Sequence, residues 1–228
     1  MAGLASDVWL VVPVYNEAPV IAGVVEHALH TFPNIVCVDD GSRDDSAGQI
    51  ARTGAMLVQH PVNLGQGAAV QTGVEFARRQ PGAEYFVTFD ADGQHQVDDV
   101  ERMVKRLRTE PLDIIVGTRF HGDVQHIPRL KRIVLKTAVM LSPRGRRLGL
   151  TDSHNGLRAF NRKVAMELDI TSNGMGHAPE FVEMMDRRGW RVAEEPVNIL
   201  YTEYSMSKGQ SLLNGVNIVF DSAVRRRR

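Results

Sequence analysis

Over the first half of the chain, short runs rich in β-branched residues alternate with longer stretches whose apolar positions recur every three or four residues. The short runs predict strands at Val8–Val14, Ile35–Asp39, Ala55–Gln59, Tyr85–Asp90 and Ile114–Gly117. The longer stretches predict helices over Ala18–Thr31, Asp44–Thr53, Gly67–Arg79 and Asp98–Thr109, with Asp44 and Asp98 set where a short acidic side chain caps a first turn. The strands are apolar at nearly every position, as strands are when helices cover both faces of a sheet. The pattern predicts an α/β fold with a mostly parallel central sheet flanked by helices. Beyond Phe120 the rhythm changes. A helix is expected from about Pro128 to Leu141, then a Gly/Arg-rich loop and the stretch Thr151–Phe160, a helix over Pro179–Arg188 and a strand around Val192–Leu200. No internal repeat or Pro/Ser-rich linker divides the chain, so residues 1–228 are expected to form a single domain.

In such sheets ligands bind beyond the carboxyl ends of the strands, where the connections diverge. Three predicted strands end there in carboxylates: Tyr15-Asn16-Glu17, Asp39-Asp40-Gly41-Ser42 and Asp90-Ala91-Asp92. Once the backbone leaves the pleat, Asp90 and Asp92 can turn toward one point and hold Mg²⁺ or Mn²⁺ against a phosphate. The same tripeptide also reads as a polar turn that caps the next helix. Asp39 or Asp40 can accept hydrogen bonds from a base or a ribose, or form an Asx-turn with Ser42 or Asp44 as a cap. Asn63-Leu64-Gly65-Gln66-Gly67 opens a helix whose amides can face an anion. It is neither a Walker loop, lacking Gly-Lys-Ser/Thr, nor a dinucleotide fingerprint, since Val70 stands at the third glycine position.

Composition narrows the classes. Lys plus Arg equals Asp plus Glu at 27 each, so net charge gives no sign of a nucleic-acid partner, and none is expected. Acids cluster in the first hundred residues and bases gather after Phe120. Cys37 is the single cysteine, which excludes an intramolecular disulfide, and its apolar run Ile35-Val36-Cys37-Val38 reads as a buried small hydrophobe. No signal-peptide pattern opens the chain, and no apolar run approaches the roughly 18 residues that span a bilayer. Contact with a membrane is expected to be peripheral.

Taken in order, Pro13-Val14-Tyr15-Asn16-Glu17, Val38-Asp39-Asp40-Gly41-Ser42, Asn63-Leu64-Gly65-Gln66-Gly67, Phe89-Asp90-Ala91-Asp92-Gly93-Gln94-His95 and Val116-Gly117-Thr118-Arg119 resemble the inverting family-2 glycosyltransferases of GT-A (Rossmann-like) fold. Within that family they look most like dolichyl-phosphate mannose synthase and the bacterial polyprenyl-phosphate sugar synthases. The resemblance runs from Val8 to Arg119 and more loosely to about Lys208. It implies a nucleotide-sugar-binding half over 1–119 and an acceptor-binding, membrane-facing half over 120–228. It also implies that Pro13, Tyr15 and Glu17 line the donor nucleotide, with Asp40 recognising base or ribose and Asp39 supporting it. Asp90, Asp92 and Gln94 would serve a Mg²⁺ or Mn²⁺ ion and the diphosphate, and Arg119 would meet the acceptor phosphate, with Arg129 and Arg132 as lesser candidates. Asp92 and Arg119 are the residues expected at the reaction itself. Without the resemblance, Arg119 reads as a solvated strand-end arginine.

The expected activity is inverting transfer of one sugar from a UDP- or GDP-sugar to a polyprenyl phosphate, at the cytoplasmic face of a membrane. A phosphate monoester is mostly dianionic near neutral pH, its second pKa being about 6, and attacks without a strong base. A hydroxyl acceptor needs a base, for which Asp152 or Glu180 are candidates. One departure bears on the donor. The late Arg…Gly-x-Ser-Lys pattern of the mannose synthases survives only as Ser207-Lys208, which leaves Lys208 to grip the donor alone and makes a UDP-sugar as good a fit as GDP-mannose. His177 is expected near the sugar pocket, or as a structural histidine. Between Arg129 and Leu141, apolar Leu130, Ile133, Val134, Ala138 and Leu141 share a helical face opposite Arg129, Lys131, Arg132 and Lys136. That pattern suits an interfacial helix on anionic lipid and equally an amphipathic helix packed on a core. A separate membrane subunit is a candidate partner. Two rival readings are a family-2 transferase with a soluble hydroxyl acceptor and a non-catalytic nucleotide-sugar-binding partner of a membrane complex.

Overall fold

The computed structural model describes residues 5–119, 145, 147–152, 155–174, 176–200 and 204. Seven strands build one sheet: β1 (Val8–Val14), β2 (Asn34–Asp39), β3 (Met56–Gln59), β4 (Tyr85–Thr88), β5 (Ile114–Thr118), β6 (Arg158–Asn161) and β7 (Val192–Pro196). The helices are α1 (Ile21–Leu29), α2 (Ser46–Ala51), α3 (Gln66–Ala77), α4 (Val97–Thr109), α5 (Arg162–Glu167) and α6 (His177–Arg188). The strand order is β3-β2-β1-β4-β6-β5-β7. Neighbours pair in parallel except at β6, which runs antiparallel to both β4 and β5. The chain winds outward from β1 to β3, then returns to lay β4 on the other side of β1. The connections leaving β1 and β4 therefore diverge and open a crevice at their carboxyl ends.

Strict alternation along the strands sends side chains to two cores. Val8, Leu10, Val12, Ile35 and Cys37 pack under α1 and α4, through Ile21, Val25, Val100 and Met103. Trp9, Val11, Val36 and Val38 pack under α3 and α6, through Val70, Val74, Phe181 and Met185. Burial of Cys37 pushes its thiol up to about 12, the behaviour of an inert core residue.

Strand positions follow the pattern read from the sequence, and the differences are local. Asp98 lies inside the first turn of α4, whose N-cap is Gln96. The cap position of α2 is Asp45, while Asp44 accepts from the Ser46 amide (3.0 Å) and also from the Ala18 amide (3.1 Å), tying α2 to the turn after β1. The last strand stops at Pro196. The stretch Thr151–Phe160 leads into the antiparallel β6. The helix expected from Pro128 to Leu141 lies outside the described residues.

Candidate active site

The turn after β1 and the turn after β2 are built as one unit. Asn16 takes a positive φ of 55°, a conformation that asparagine tolerates better than most residues, and its backbone amide donates to Ser42 Oγ (2.9 Å). In return the Arg43 amide donates to Asn16 Oδ1 (2.8 Å), and the Glu17 amide donates to Ser46 Oγ (2.8 Å). Tyr15 is left exposed beside this lacing, and Glu17 accepts from the Tyr204 hydroxyl (2.8 Å). Gly41, at φ 68°, lets the β2 turn press against the Val62 backbone, where a Cβ would lie 2.6 Å from the carbonyl carbon.

Asp39 and Asp40 are both buried. Asp39 accepts from the Ser42 amide (3.2 Å) and from Gln59 Nε2 (3.4 Å). Asp40 accepts from the amides of Leu64 (2.9 Å) and Gly65 (2.7 Å), and Oδ1 bonds His60 Nδ1 (2.7 Å), whose other nitrogen meets Thr72 Oγ1 (2.9 Å). The Gly67 amide donates to the carbonyl of Asn173 (2.7 Å). The opening of α3 thus meets its anion within the chain: Asp40 holds the amides that the sequence offered to a ligand, and the loop 172–174 covers the next. Gly65 and Gly67 permit that contact, since a Cβ would approach Asn173 O to 2.3 Å and Ser172 O to 2.0 Å.

Asp90 and Asp92 follow β4. Asp90 Oδ2 bonds His95 Nε2 (2.9 Å), and Oδ1 accepts weakly from Gln66 Nε2 (3.4 Å). His95 is buried edge-on to Phe89, with ring centroids 5.6 Å apart. Burial alone would raise the carboxyl of Asp90, but the His95 bond and the charges of His95, Arg158 and His177 outweigh it and hold Asp90 below its ordinary value. Asp92 behaves oppositely. Burial first, then the charges of Asp90 and Glu17, push it up against the Gln94 amide bond to Oδ1 (3.0 Å). Two carboxylates that repel each other in a half-buried place, with Asp92 accepting from the Gln94 amide at Oδ1, suit a hard divalent cation. Among the described residues no cluster of three His, Cys, Asp or Glu side chains could hold a metal ion. The remaining ligands would be phosphate oxygens and water. Gln94 contributes backbone, its amide to Asp92 and its carbonyl to the Leu200 amide (2.9 Å).

Across the crevice, Arg119 follows β5 and is clamped by Asp152: Nε to Oδ2 (2.6 Å), Nη2 to Oδ1 (2.8 Å) and the backbone amide to Oδ2 (3.2 Å). Asp152 is in turn fixed by its own amide on Glu194 (3.0 Å), a carboxylate that also takes both donors of Thr151. The solvated strand-end reading of Arg119 is thereby excluded. Glu180, the other candidate base, accepts from the amides of Thr171 (2.9 Å) and Ser172 (2.8 Å) and from Thr171 Oγ1. Burial would raise it, yet these donors bring it below its usual range. His177, at the start of α6, donates from Nδ1 to Gly174 O (2.9 Å), and burial with the charge of Arg158 lowers its pKa. Pro13 stands opposite Val38 in the β1–β2 register. Arg129, Arg132 and Lys208 lie outside the described residues.

Two residues of this site carry no motif signal. Gly156 packs on Asp90, where a Cβ would meet Oδ2 at 2.3 Å. Arg158 is buried at the first position of β6. The available clue was an arginine inside the apolar run Leu157-Arg158-Ala159-Phe160, because a buried guanidinium needs anions nearby.

The winding of the sheet, with helices on both faces, is that of the GT-A fold. A solved structure of glucosyl-3-phosphoglycerate synthase from Mycobacterium tuberculosis, in complex with Mn²⁺, uridine diphosphate and glucosyl-3-phosphoglycerate, shares the fold with a TM-score of 0.72. The likeness covers 99% of this chain and 80% of that one at 20% sequence identity. Residues 9–169 match Glycosyl transferase family 2, and the chain belongs to that family. Among its relatives is the UDP-N-acetylglucosamine–dolichyl-phosphate N-acetylglucosaminyltransferase of Methanococcus voltae, 27% identical over 235 residues and covering 93% of each chain. The polyprenol monophosphomannose synthase of Mycolicibacterium smegmatis is 29% identical over 223 residues, covering 92% of this chain and 82% of its own.

Proposed function

We propose that this glycosyltransferase moves one sugar from a UDP- or GDP-sugar to the phosphate of a polyprenyl lipid, with inversion at the anomeric carbon. The observation that carries the acceptor class is the state of the two candidate bases. Asp152 is committed to Arg119 and Glu180 to the 171–172 loop. A hydroxyl acceptor requires a base, whereas a phosphate dianion brings its nucleophile already deprotonated. The names of the Methanococcus and Mycolicibacterium relatives, which specify dolichyl-phosphate and a polyprenol product, support the same class.

In this reading Glu17, Asp39 and Tyr15 line the donor nucleotide, while Asp40 shapes the pocket by organising the 60–66 loop. Asp90 and Asp92 would hold Mg²⁺ or Mn²⁺ with the donor diphosphate, and such an ion, when bound, would supply charge neutralisation at the leaving group. Arg119, stiffened by Asp152, orients the acceptor phosphate by a guanidinium–phosphate contact. One acceptor oxygen forms the new bond to the anomeric carbon as the bond from that carbon to the diphosphate breaks, and the nucleoside diphosphate leaves. The lipid acceptor puts the reaction at a membrane surface, on the cytoplasmic side. Among the described residues no helix is long and apolar enough to cross a membrane.

The test is a transfer assay with a short polyprenyl phosphate, Mg²⁺ or Mn²⁺, and a panel of labelled UDP- and GDP-sugars, counting label in the organic phase. Lipid-bound label from one donor, lost with EDTA and in Asp92→Asn, is the expected result. Label transferred only to water-soluble acceptors would overturn the acceptor class.

A further inference from the structure

Arg158 is the buried cation of the crevice. It stands opposite Thr88 of β4 and Val116 of β5 in the register of the sheet. Two residues beyond Thr88 lies Asp90, and three beyond Val116 lies Arg119 with its clamp Asp152. Its guanidinium sits over the Phe181 ring, 4.9 Å from the centroid, and Phe160 packs against the same ring at 6.0 Å. Only 2% of the residue is exposed. The segment leading into it is pressed on the site as well, with Gly156 against Asp90 and the Gly156 carbonyl accepting from Thr88 Oγ1 (2.6 Å). Burial lowers the pKa of Arg158 to about 10, against the pull of Asp90 and Asp152, so it stays charged at neutral pH. A charge this deep persists only where anions compensate it, and these two carboxylates do so from opposite sides of the crevice.

We propose that Arg158 is a positioning residue that acts as the resident counter-cation of the site: it offsets the charge of Asp90, so that the site without donor holds a divalent ion weakly and retains it only together with the donor diphosphate. The proposal rests on the metal role given above to Asp90 and Asp92. It assigns Arg158 no contact with substrate. A group needed merely for packing would, when replaced, loosen the site and weaken metal binding. A counter-cation, when neutralised, does the reverse, because one unit of opposing charge is removed from beside a divalent ion.

The experiment measures Mn²⁺ affinity from the electron paramagnetic resonance signal of the free ion, on the full chain, with and without UDP or GDP. Arg158→Met, close in volume and neutral, is expected to tighten nucleotide-free Mn²⁺ binding at least about fivefold, the scale of a single charge acting in a partly buried site. Arg158→Lys should leave it near wild type. Arg158→Gln supplies a second neutral side chain if the methionine variant does not fold. The gain on adding nucleotide should shrink in the neutral variants. Unchanged or weakened nucleotide-free affinity in a folded neutral variant overturns the proposal while leaving the metal reading intact, provided wild type binds Mn²⁺ with nucleotide and Asp92→Asn does not. Absence of Mn²⁺ binding in wild type under every condition overturns both.

Discussion

At the scale of single residues, the site is defined as much by what packs behind the carboxylates as by the carboxylates themselves. On the metal role proposed for it, Asp92→Asn should lower the transfer rate at least about 100-fold, since several kcal/mol of charge stabilisation at the leaving group would depend on the ion it would hold; steady-state kinetics with folding checked by circular dichroism measure this. Gly156→Ala should cost about as much without touching any charge. The added methyl would overlap Asp90 Oδ2, and a carboxylate displaced by about 1 Å can lose roughly 100-fold in rate. A Gly156→Ala enzyme of wild-type rate would show that Asp90 has room to shift. The acidic motifs were legible in the sequence because carboxylates at strand ends break an apolar pattern. The fates of individual members were not. Asp39 and Asp40 are adjacent and chemically identical, yet Asp40 turns to the Leu64 and Gly65 amides and His60, a partnership set by a loop 20 to 25 residues downstream. Gly156 was illegible for a plainer reason: what makes it necessary is the distance to Asp90, which only the folded sheet defines.

At the scale of elements, β5 and β7 are locked at their lower ends by Asp113. This buried carboxylate takes Nε and Nη2 of Arg191 (3.0 and 2.9 Å), the Arg191 amide (2.9 Å) and Asn161 Nδ2 (3.2 Å), which hold it well below the usual carboxylate range. A depressed carboxyl stabilises the fold fully above its unfolded pKa of about 3.9 and loses that contribution as pH falls toward the folded value. Asp113→Asn should therefore lower the melting temperature at pH 7 by about 1–3 kcal/mol equivalent, or roughly 3–10 °C. The gap between variant and wild type should narrow in melts run below about pH 4. A gap that is independent of pH would assign the loss to packing. The elements themselves were readable where one rule dominated: parallel strands as apolar runs, helices as a three-to-four periodicity. Arg158–Asn161 escaped because an antiparallel strand buried on both faces and four residues long leaves too little pattern, and its first residue is charged.

At the scale of the whole molecule, the crevice joins pieces from the turns after β1, β2, β4 and β5, so donor binding should stiffen the sheet as a unit. With Mn²⁺ present, a nucleoside diphosphate at 100 times its dissociation constant should stabilise the protein by about 2.7 kcal/mol, seen as a melting shift of roughly 5–10 °C. The shift should collapse with EDTA; a metal-independent shift would point to a pocket that grips base and ribose without an ion. The antiparallel β6 has a further consequence, for the time before the enzyme exists as an enzyme. Both strands it separates are translated first, and Arg158 follows Thr118 by 40 positions. At about 5–20 residues per second, synthesis leaves two facing backbone edges unpaired for roughly 2–8 s. Open edges of this kind recruit other chains. A product truncated after Arg119 should therefore accumulate as insoluble aggregate, and the nascent full-length chain should depend on ribosome-proximal chaperones until the slot is filled.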